Sequence, residues 1–187
     1  MLPHSSSGWY NEDVGERVAT AEMDSPIGRL RLAVTDEALV RIALPVGTSS
    51  FSGGLRRALP DAESVPTLPL LVQVARELAE YFEGTRQSFS VPLEPRGTPF
   101  QGEVWRALRA IPYGETRSYG EIARAVGRPT ASRAVGHANG ANPLPLVIPC
   151  HRVIESGGAL GGFGGGLDAK RWLLAFEQGA ERGGRLL

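Results

Sequence analysis

Residues Ser118–Ala138 read SYGEIARAVGRPTASRAVGHA. Ser118 stands three positions before Glu121, the spacing at which a hydroxyl and a carboxylate satisfy each other's orphan backbone donors at a helix start. A short helix is expected from there to about Gly127, Arg128-Pro129 makes a tight turn, and Thr130 is expected to cap a further helix through Ala138. Two short helices joined by so brief a turn form a helix-turn-helix. Upstream, Thr98-Pro99-Phe100-Gln101 combines a second capping box with proline at the first helical position, and predicts a helix to about Ala110. Ile111-Pro112-Tyr113-Gly114 breaks it. Downstream, Asp168 opens a last amphipathic helix carrying Trp172, Leu173, Phe176 and Glu177.

The segment after the second helix, Asn142–Ile154, reads NPLPLVIPCHRVI and holds the only cysteine of the chain, Cys150. A lone cysteine most often behaves as a small buried hydrophobe. Three features argue for chemistry instead: Pro143, Pro145 and Pro149 stiffen the approach, His151 can act as a base, and Glu177 can orient that base. Adjacent side chains of an extended segment point to opposite faces, so a bridging water is the expected link between His151 and Cys150. A free thiol is only a few per cent thiolate at neutral pH, and a Glu–His–water–Cys relay would activate it.

The other half reads differently. Residues 18–44 alternate in short runs broken by turns, with Leu30, Leu32 and Val34 on one face, and predict two or three antiparallel strands. Pro45–Pro66 is loop-rich, Leu71, Val74, Leu78 and Phe82 lie at helical spacing, and Ser88–Leu93 can form one more strand. Residues 1–17 lack periodicity and are expected to be a disordered tail. Pro92, Pro95 and Gly97 mark residues 92–97 as a linker between an α/β domain (18–91) and a mainly helical one (98–187).

At 187 residues, with 42% hydrophobic and 21% charged side chains, the chain has ordinary globular composition. No apolar window is long enough to span a membrane, so no membrane partner is expected. One cysteine excludes an internal disulfide framework and any multi-cysteine zinc site, and points to a reducing, intracellular setting. Basic and acidic residues balance at 20 each. Residues 1–91 nevertheless carry 8 basic and 12 acidic side chains, a net of −4, and residues 92–187 carry 12 and 8, a net of +4. An arginine-rich half suits a polyanion. The seven glycines of Gly157–Gly166 fit neither phosphate-binding fingerprint and are read as a flexible pocket-lining loop.

The motifs form an ordered series: Gly97–Gln101 (GTPFQ), Ile111–Gly114 (IPYG), Ser118-Tyr119, Arg133–Gly136 (RAVG), Ala138-Asn139, Asn142-Pro143, Ile148–Val153 (IPCHRV), and Lys170 with Leu173, Leu174 and Glu177. Through them residues 97–177 resemble the catalytic domain of the O6-alkylguanine-DNA alkyltransferase (methylated-DNA–protein-cysteine methyltransferase) family. The first half is similar, more weakly, to that family's ribonuclease-H-like domain through Asp24–Gly28 (DSPIG). The resemblance implies a ribonuclease-H-like α/β domain followed by a winged-helix-like, mainly α domain with the helix-turn-helix. It implies DNA repair by a single irreversible transfer of an alkyl group from O6-alkylguanine, and from O4-alkylthymine, to Cys150. Such transfer needs no cofactor or metal, and implies a monomer acting on double-stranded DNA from the minor groove.

Residue by residue, the resemblance makes Cys150 the nucleophile, His151 its base through water, and Glu177 the carboxylate behind that base. Asn142 orders the turn before the nucleophile, and Tyr119 assists the leaving guanine and contacts the displaced DNA backbone. Arg133 fills the gap left by a flipped base. Thr130, Ala131, Ser132, Ala134 and Gly136 belong to the DNA-facing recognition helix, where small side chains allow close approach. Val153, Gly161, Phe163 and Gly164 line the guanine pocket. Phe163 stands where the family commonly has tyrosine, so its ring can stack but offers no hydroxyl. Three other readings compete. A lesion-binding relative without transfer would lack the nucleophile, a helix-turn-helix regulator would need an effector domain, and a cysteine hydrolase would need an oxyanion hole.

Overall fold

The computed structural model describes residues 16–46 and 51–179; the expected tail falls outside them except for Glu16 and Arg17, and Arg17 opens the first strand. Strands β1 (Arg17–Met23), β2 (Leu30–Thr35) and β3 (Leu39–Ala43) form the expected antiparallel meander. The β1–β2 register runs from Val18 opposite Thr35 to Met23 opposite Leu30. Their turn closes through paired backbone bonds between Ser25 and Gly28. Gly28 has φ of 104° there, and a Cβ would fall 2.7 Å from Pro45, so the turn needs glycine. A short β4 (Glu63–Ser64) adds parallel to β1, giving the order β3-β2-β1-β4.

Both faces of this sheet are covered, which is why β2 is buried along most of its length. Leu30, Leu32 and Val34 face the main core with Leu71, Val74 and Leu78 of α2 (Pro69–Phe82). Val18, Ala33 and Val40 pack with Phe51 and Leu59 on the other side. Phe51 begins α1 (Phe51–Ala58), a helix within the stretch expected to be loop. Gly53 and Gly54 lower its helix propensity, and burial of Phe51 supplies what propensity does not. The expected strand at Ser88–Leu93 is reduced to a bridge between Leu39 and Leu93. Residues 92–94 thus run along β3, with Leu39 N donating to Pro92 O and Glu94 N to Leu39 O.

Both capping boxes form. Thr98 and Gln101 start α3 (Pro99–Arg109), and Ser118 and Glu121 start α4 (Tyr119–Ala125). The second helix of the pair, α5, spans Ser132–Gly140 with Ala131 as its N-cap and no side-chain cap bond, so Thr130 does not cap it. The intervening turn uses its residues differently: Ala131 N bonds Arg128 O, and Gly127 has φ of 71°. Trp105 of α3 donates from its indole to Ala138 O at 2.8 Å, seating α5 on α3. Strands β5 (Arg117–Ser118) and β6 (Val153–Ile154) pair in parallel and tie the start of α4 to the segment after Cys150. The chain ends its described course in α6 (Leu167–Glu177).

One apolar core runs through both halves, from Leu30 and Leu78 to Trp105, Ile148 and Leu173. Tyr81 of α2 is completely buried and sits among Phe82, Phe89, Tyr113 and Phe176, with ring centroids 5.2–6.1 Å away. Ile42 N of β3 donates to Pro143 O at 2.8 Å. The first half is therefore fixed directly against the segment that leads to Cys150. No helix among the described residues is long and apolar enough to cross a membrane.

Candidate active site

Cys150, His151 and Arg152 form a single 3-10 turn rather than the expected extended segment. Cys150 N closes a tight bond to Ile148 O (2.8 Å) and Arg152 N bonds Pro149 O (3.0 Å). The preceding turn is held by Asn142, whose Nδ2 donates to Ile148 O at 2.7 Å while its Oδ1 accepts from Leu144 N at 3.0 Å. Leu146 within it has φ of 76°, a left-handed conformation that costs a non-glycine residue stability and is retained by its surroundings. Asn139 of α5 adds a bond from Nδ2 to Cys150 O at 3.3 Å. These bonds convert a proline-stiffened loop into a fixed platform for one thiol.

Behind the thiol, Glu177 collects five donor contacts. Tyr81 Oη reaches Oε1 at 2.7 Å, His151 Nε2 meets the same oxygen at 2.8 Å, and Arg152 Nη2 reaches it at 2.9 Å. Oε2 accepts from Arg152 Nε at 2.8 Å and from Gly114 N at 3.2 Å. Burial opposes charge on this carboxylate, but the bonds from His151 and Arg152 outweigh it and hold the group well below the usual carboxylate range. An ionised Glu177 only accepts, so His151 Nε2 carries the proton and Nδ1 is the basic nitrogen. Nδ1 is buried and has no hydrogen-bond partner.

Burial also pushes His151 down from its ordinary value, against the pull of Glu177; Arg152 and Lys170 push the same way. The imidazole is thus neutral at pH 7, as a base must be. Cys150 is 5% exposed, and burial raises its thiol, partly countered by Asn142 and the positive charge of Lys170. Lys170 is itself fully buried, with Nζ donating to Val153 O at 2.7 Å and to Leu160 O, and burial pulls it down to about 8. A cation near the thiol and a neutral base with a free nitrogen together lower the cost of a thiolate.

An open groove of about 1550 Å³ lies in front of Cys150. Of the residues expected at the site, Tyr119, Ser132, Arg133, Gly136, Asn142, Gly161, Phe163 and Gly164 line it with Cys150. His151, Glu177 and Val153 are buried. Thr130 and Ala134 are exposed, Ala131 is partly buried, and none of the three lines the groove. Gly161 has φ of 64°, and a Cβ there would fall 2.9 Å from Tyr119 Oη, so the glycine loop closes against the tyrosine. Burial, then Cys150 and Glu155, raise the Tyr119 phenol, which keeps its proton available to donate. The Phe163 ring packs edge-on to His151 with centroids 6.4 Å apart.

Sequence reasoning did not anticipate Tyr81, Arg152, Asn139 or Lys170 as parts of this constellation. Arg152 and Lys170 lie inside the quoted motifs, and charged residues in apolar surroundings were the available signal. Tyr81 lies far away in sequence and gave none.

Two family models match the chain: the DNA-binding domain of 6-O-methylguanine DNA methyltransferase over residues 99–179, and its ribonuclease-like domain over residues 18–95. The chain belongs to the 6-O-methylguanine DNA methyltransferase family. It is 48% identical over 158 residues to a methylated-DNA–protein-cysteine methyltransferase from Mycolicibacterium paratuberculosis, covering 83% of this chain and 90% of that one. A Methanosarcina acetivorans protein of the same name is 45% identical, covering 84% and 96%. Among solved structures, that of Mycobacterium tuberculosis OGT in complex with DNA superposes with a TM-score of 0.77 at 42% identity, covering 88% of this chain and 96% of that chain. As in the family, a ribonuclease-like domain precedes a DNA-binding one.

Proposed function

We propose that this protein repairs DNA by moving an alkyl group from O6-alkylguanine to Cys150, once and irreversibly. The observation that carries the reading is the buried pair Glu177–His151, whose Nδ1 is unpartnered, on the residue that follows the sole cysteine, itself part of the groove lining. The domain division at residues 92–97, the ribonuclease-H-like label for the first half and the winged-helix label for α4–α5 with β5–β6 belong to the same reading. A DNA target places the protein inside the cell.

The thiol proton passes through water to His151 Nδ1, and Glu177 stabilises the imidazolium that forms. The thiolate Sγ attacks the alkyl carbon, the bond from that carbon to O6 breaks, its electron pair returns to the guanine ring, and the ring takes up a proton from solvent while the imidazolium gives one back. Tyr119, proton retained, supports the leaving base with a hydrogen bond. A thioether is chemically inert, so each molecule acts once. The target base must leave the stack to reach a buried sulfur, at a cost of about a few kcal/mol. Arg133, exposed at the groove, offsets part of that cost by occupying the vacated position. Small residues at Ser132 and Gly136 on the groove face of α5 allow close approach to a minor groove.

Phe163 and Gly164 leave a wall without hydroxyls, so guanine is held there by stacking. The presence of Cys150 disfavours a binding-only role. The test masks a restriction site with O6-methylguanine and asks whether stoichiometric protein restores cleavage. Restoration by the wild type but not by Cys150→Ala is expected. Restoration by the alanine variant, or by a small fraction of an equivalent of protein, would overturn the reading.

A further inference from the structure

Arg41, on β3, is half buried with its Nε sealed from solvent and bonded to nothing. Burial, then the charges of Arg57 and Arg31, lower its affinity for its own proton. Arg57 is exposed on α1, and Arg31 on β2 lies over the Phe51 ring with its guanidinium 5.1 Å from the centroid. None of the three makes an ion pair among the described residues, although residues 1–91 carry a net charge of −4. Bringing arginines together without a carboxylate is costly, and a buried donor without an acceptor adds to that cost.

The fold nevertheless makes room for this arrangement. Gly54 of α1 lies directly against the Arg41 guanidinium, and a Cβ there would overlap it. The bond from Ile42 N to Pro143 O fixes the neighbouring residue to the loop before Cys150. Arg41 and Arg57 line the same groove as Cys150, Tyr119 and Arg133. Both domains therefore present arginines to one groove.

We propose that Arg41 and Arg57 form a phosphate-gripping wall on the ribonuclease-like domain, contacting the phosphodiester backbone of DNA whose alkylated base enters the groove. This rests on the alkyl-transfer reading above. A phosphate supplies the negative charge that relieves the arginine cluster, and a planar guanidinium suits its geometry. DNA contact then extends beyond the helix-turn-helix and engages both domains.

The test uses the full chain as wild type, Arg57→Ala and Arg41→Ala/Arg57→Ala. Binding to an O6-methylguanine duplex is read by fluorescence anisotropy across a salt series, and transfer from free O6-benzylguanine is timed alongside. Each lost phosphate contact lowers the slope of log affinity against log salt by about 0.9. The single variant should lose about one unit and the double about two, with affinity falling roughly tenfold per arginine at low salt. Transfer from the free base, which needs no backbone contact, should stay within about twofold of wild type. Arg57 is exposed, so its variant gives a reading even if Arg41→Ala disturbs folding. Wild-type slope and affinity in both variants, with transfer intact, would overturn the wall and leave the alkyl-transfer reading standing. Equal slowing on the free base would also overturn it, by showing a disturbed pocket. A wild-type protein that neither binds nor dealkylates the duplex would overturn the underlying reading and this proposal with it.

Discussion

Tyr81 Oη and His151 Nε2 meet the same oxygen of Glu177, at 2.7 and 2.8 Å. Tyr81 belongs to α2 of the ribonuclease-like domain, while Glu177 and His151 belong to the DNA-binding domain. The first domain thus reaches into the relay behind the thiol. Burial, then Glu177, raise the Tyr81 phenol well above its ordinary value, so it is a permanent donor to the carboxylate.

Tyr81→Phe removes that donor and nothing else of comparable size. A hydrogen bond to a charged group contributes about 1.5–3 kcal/mol, so a loss of that order in unfolding free energy is expected. With one donor fewer, Glu177 holds the proton on His151 more strongly, and the acid limb of the transfer-rate profile should move to higher pH. A tyrosine that only fills space would leave the profile where it is, which single-turnover rates across pH would show.

Stability should fall on acidification in two stages. Burial lowers the folded pKa of His151 below its unfolded value of about 6.5. Below that pH the unfolded chain takes up a proton that the folded chain refuses, so stability declines as pH drops past about 6.5. Glu177 is held far lower still, so its contribution is complete above about pH 4.3 and is lost as pH falls further. Melting temperatures measured from pH 8 down to about pH 2 should show both stages, the second only below about pH 4.3, and His151→Gln should flatten the first. A wild type with no change between pH 7 and 5 would contradict the neutral, buried imidazole.

Glu177→Gln should cost much more than the relay alone suggests. It leaves the buried Arg152 without its charged partner, with only the bond from Nη1 to Ile111 O remaining. Breaking a buried pair in this way costs about 3–5 kcal/mol. Chemical denaturation of Glu177→Gln beside His151→Gln separates the two roles: both should slow transfer, and only the first should show a loss of this size.

The helices legible in the sequence were those with local start signals. Thr98–Gln101 and Ser118–Glu121 form their capping boxes because each needs only residues three apart. Helix α1 has no such signal and contains two glycines; it forms because Phe51 packs on the far face of the sheet with Val18, Ala33 and Val40. Thr130 had the right residue type for a cap, but the turn from Arg128 to Ala131 places the helix start later. At the site, Cys150, His151 and Glu177 were legible through the motif series. The bond that shapes Cys150 into a 3-10 turn, and the bond from Tyr81 across 96 positions, depend on tertiary packing with no local trace.

Arg133 separates a role in base extrusion from general attraction to DNA. It is exposed at the start of α5 and lines the groove. Arg133→Ala should slow transfer from duplex O6-methylguanine and leave transfer from free O6-benzylguanine nearly unchanged, because the free base needs no extrusion. A purely phosphate-binding arginine would instead weaken duplex affinity and lower the salt slope by about one unit, with transfer from bound duplex unaffected. Single-turnover rates on both substrates at two salt concentrations distinguish these outcomes.

On the alkyl-transfer reading, one alkyl group passes to Cys150 and stays there. Intact-protein mass spectrometry after exposure to excess O6-methylguanine duplex measures this directly. A complete shift by one methyl group replacing the thiol proton is expected, located by peptide mapping to Cys150, with no second addition and no shift in Cys150→Ala. An unmodified mass while the duplex is dealkylated, or a methyl group on any other residue, would contradict it.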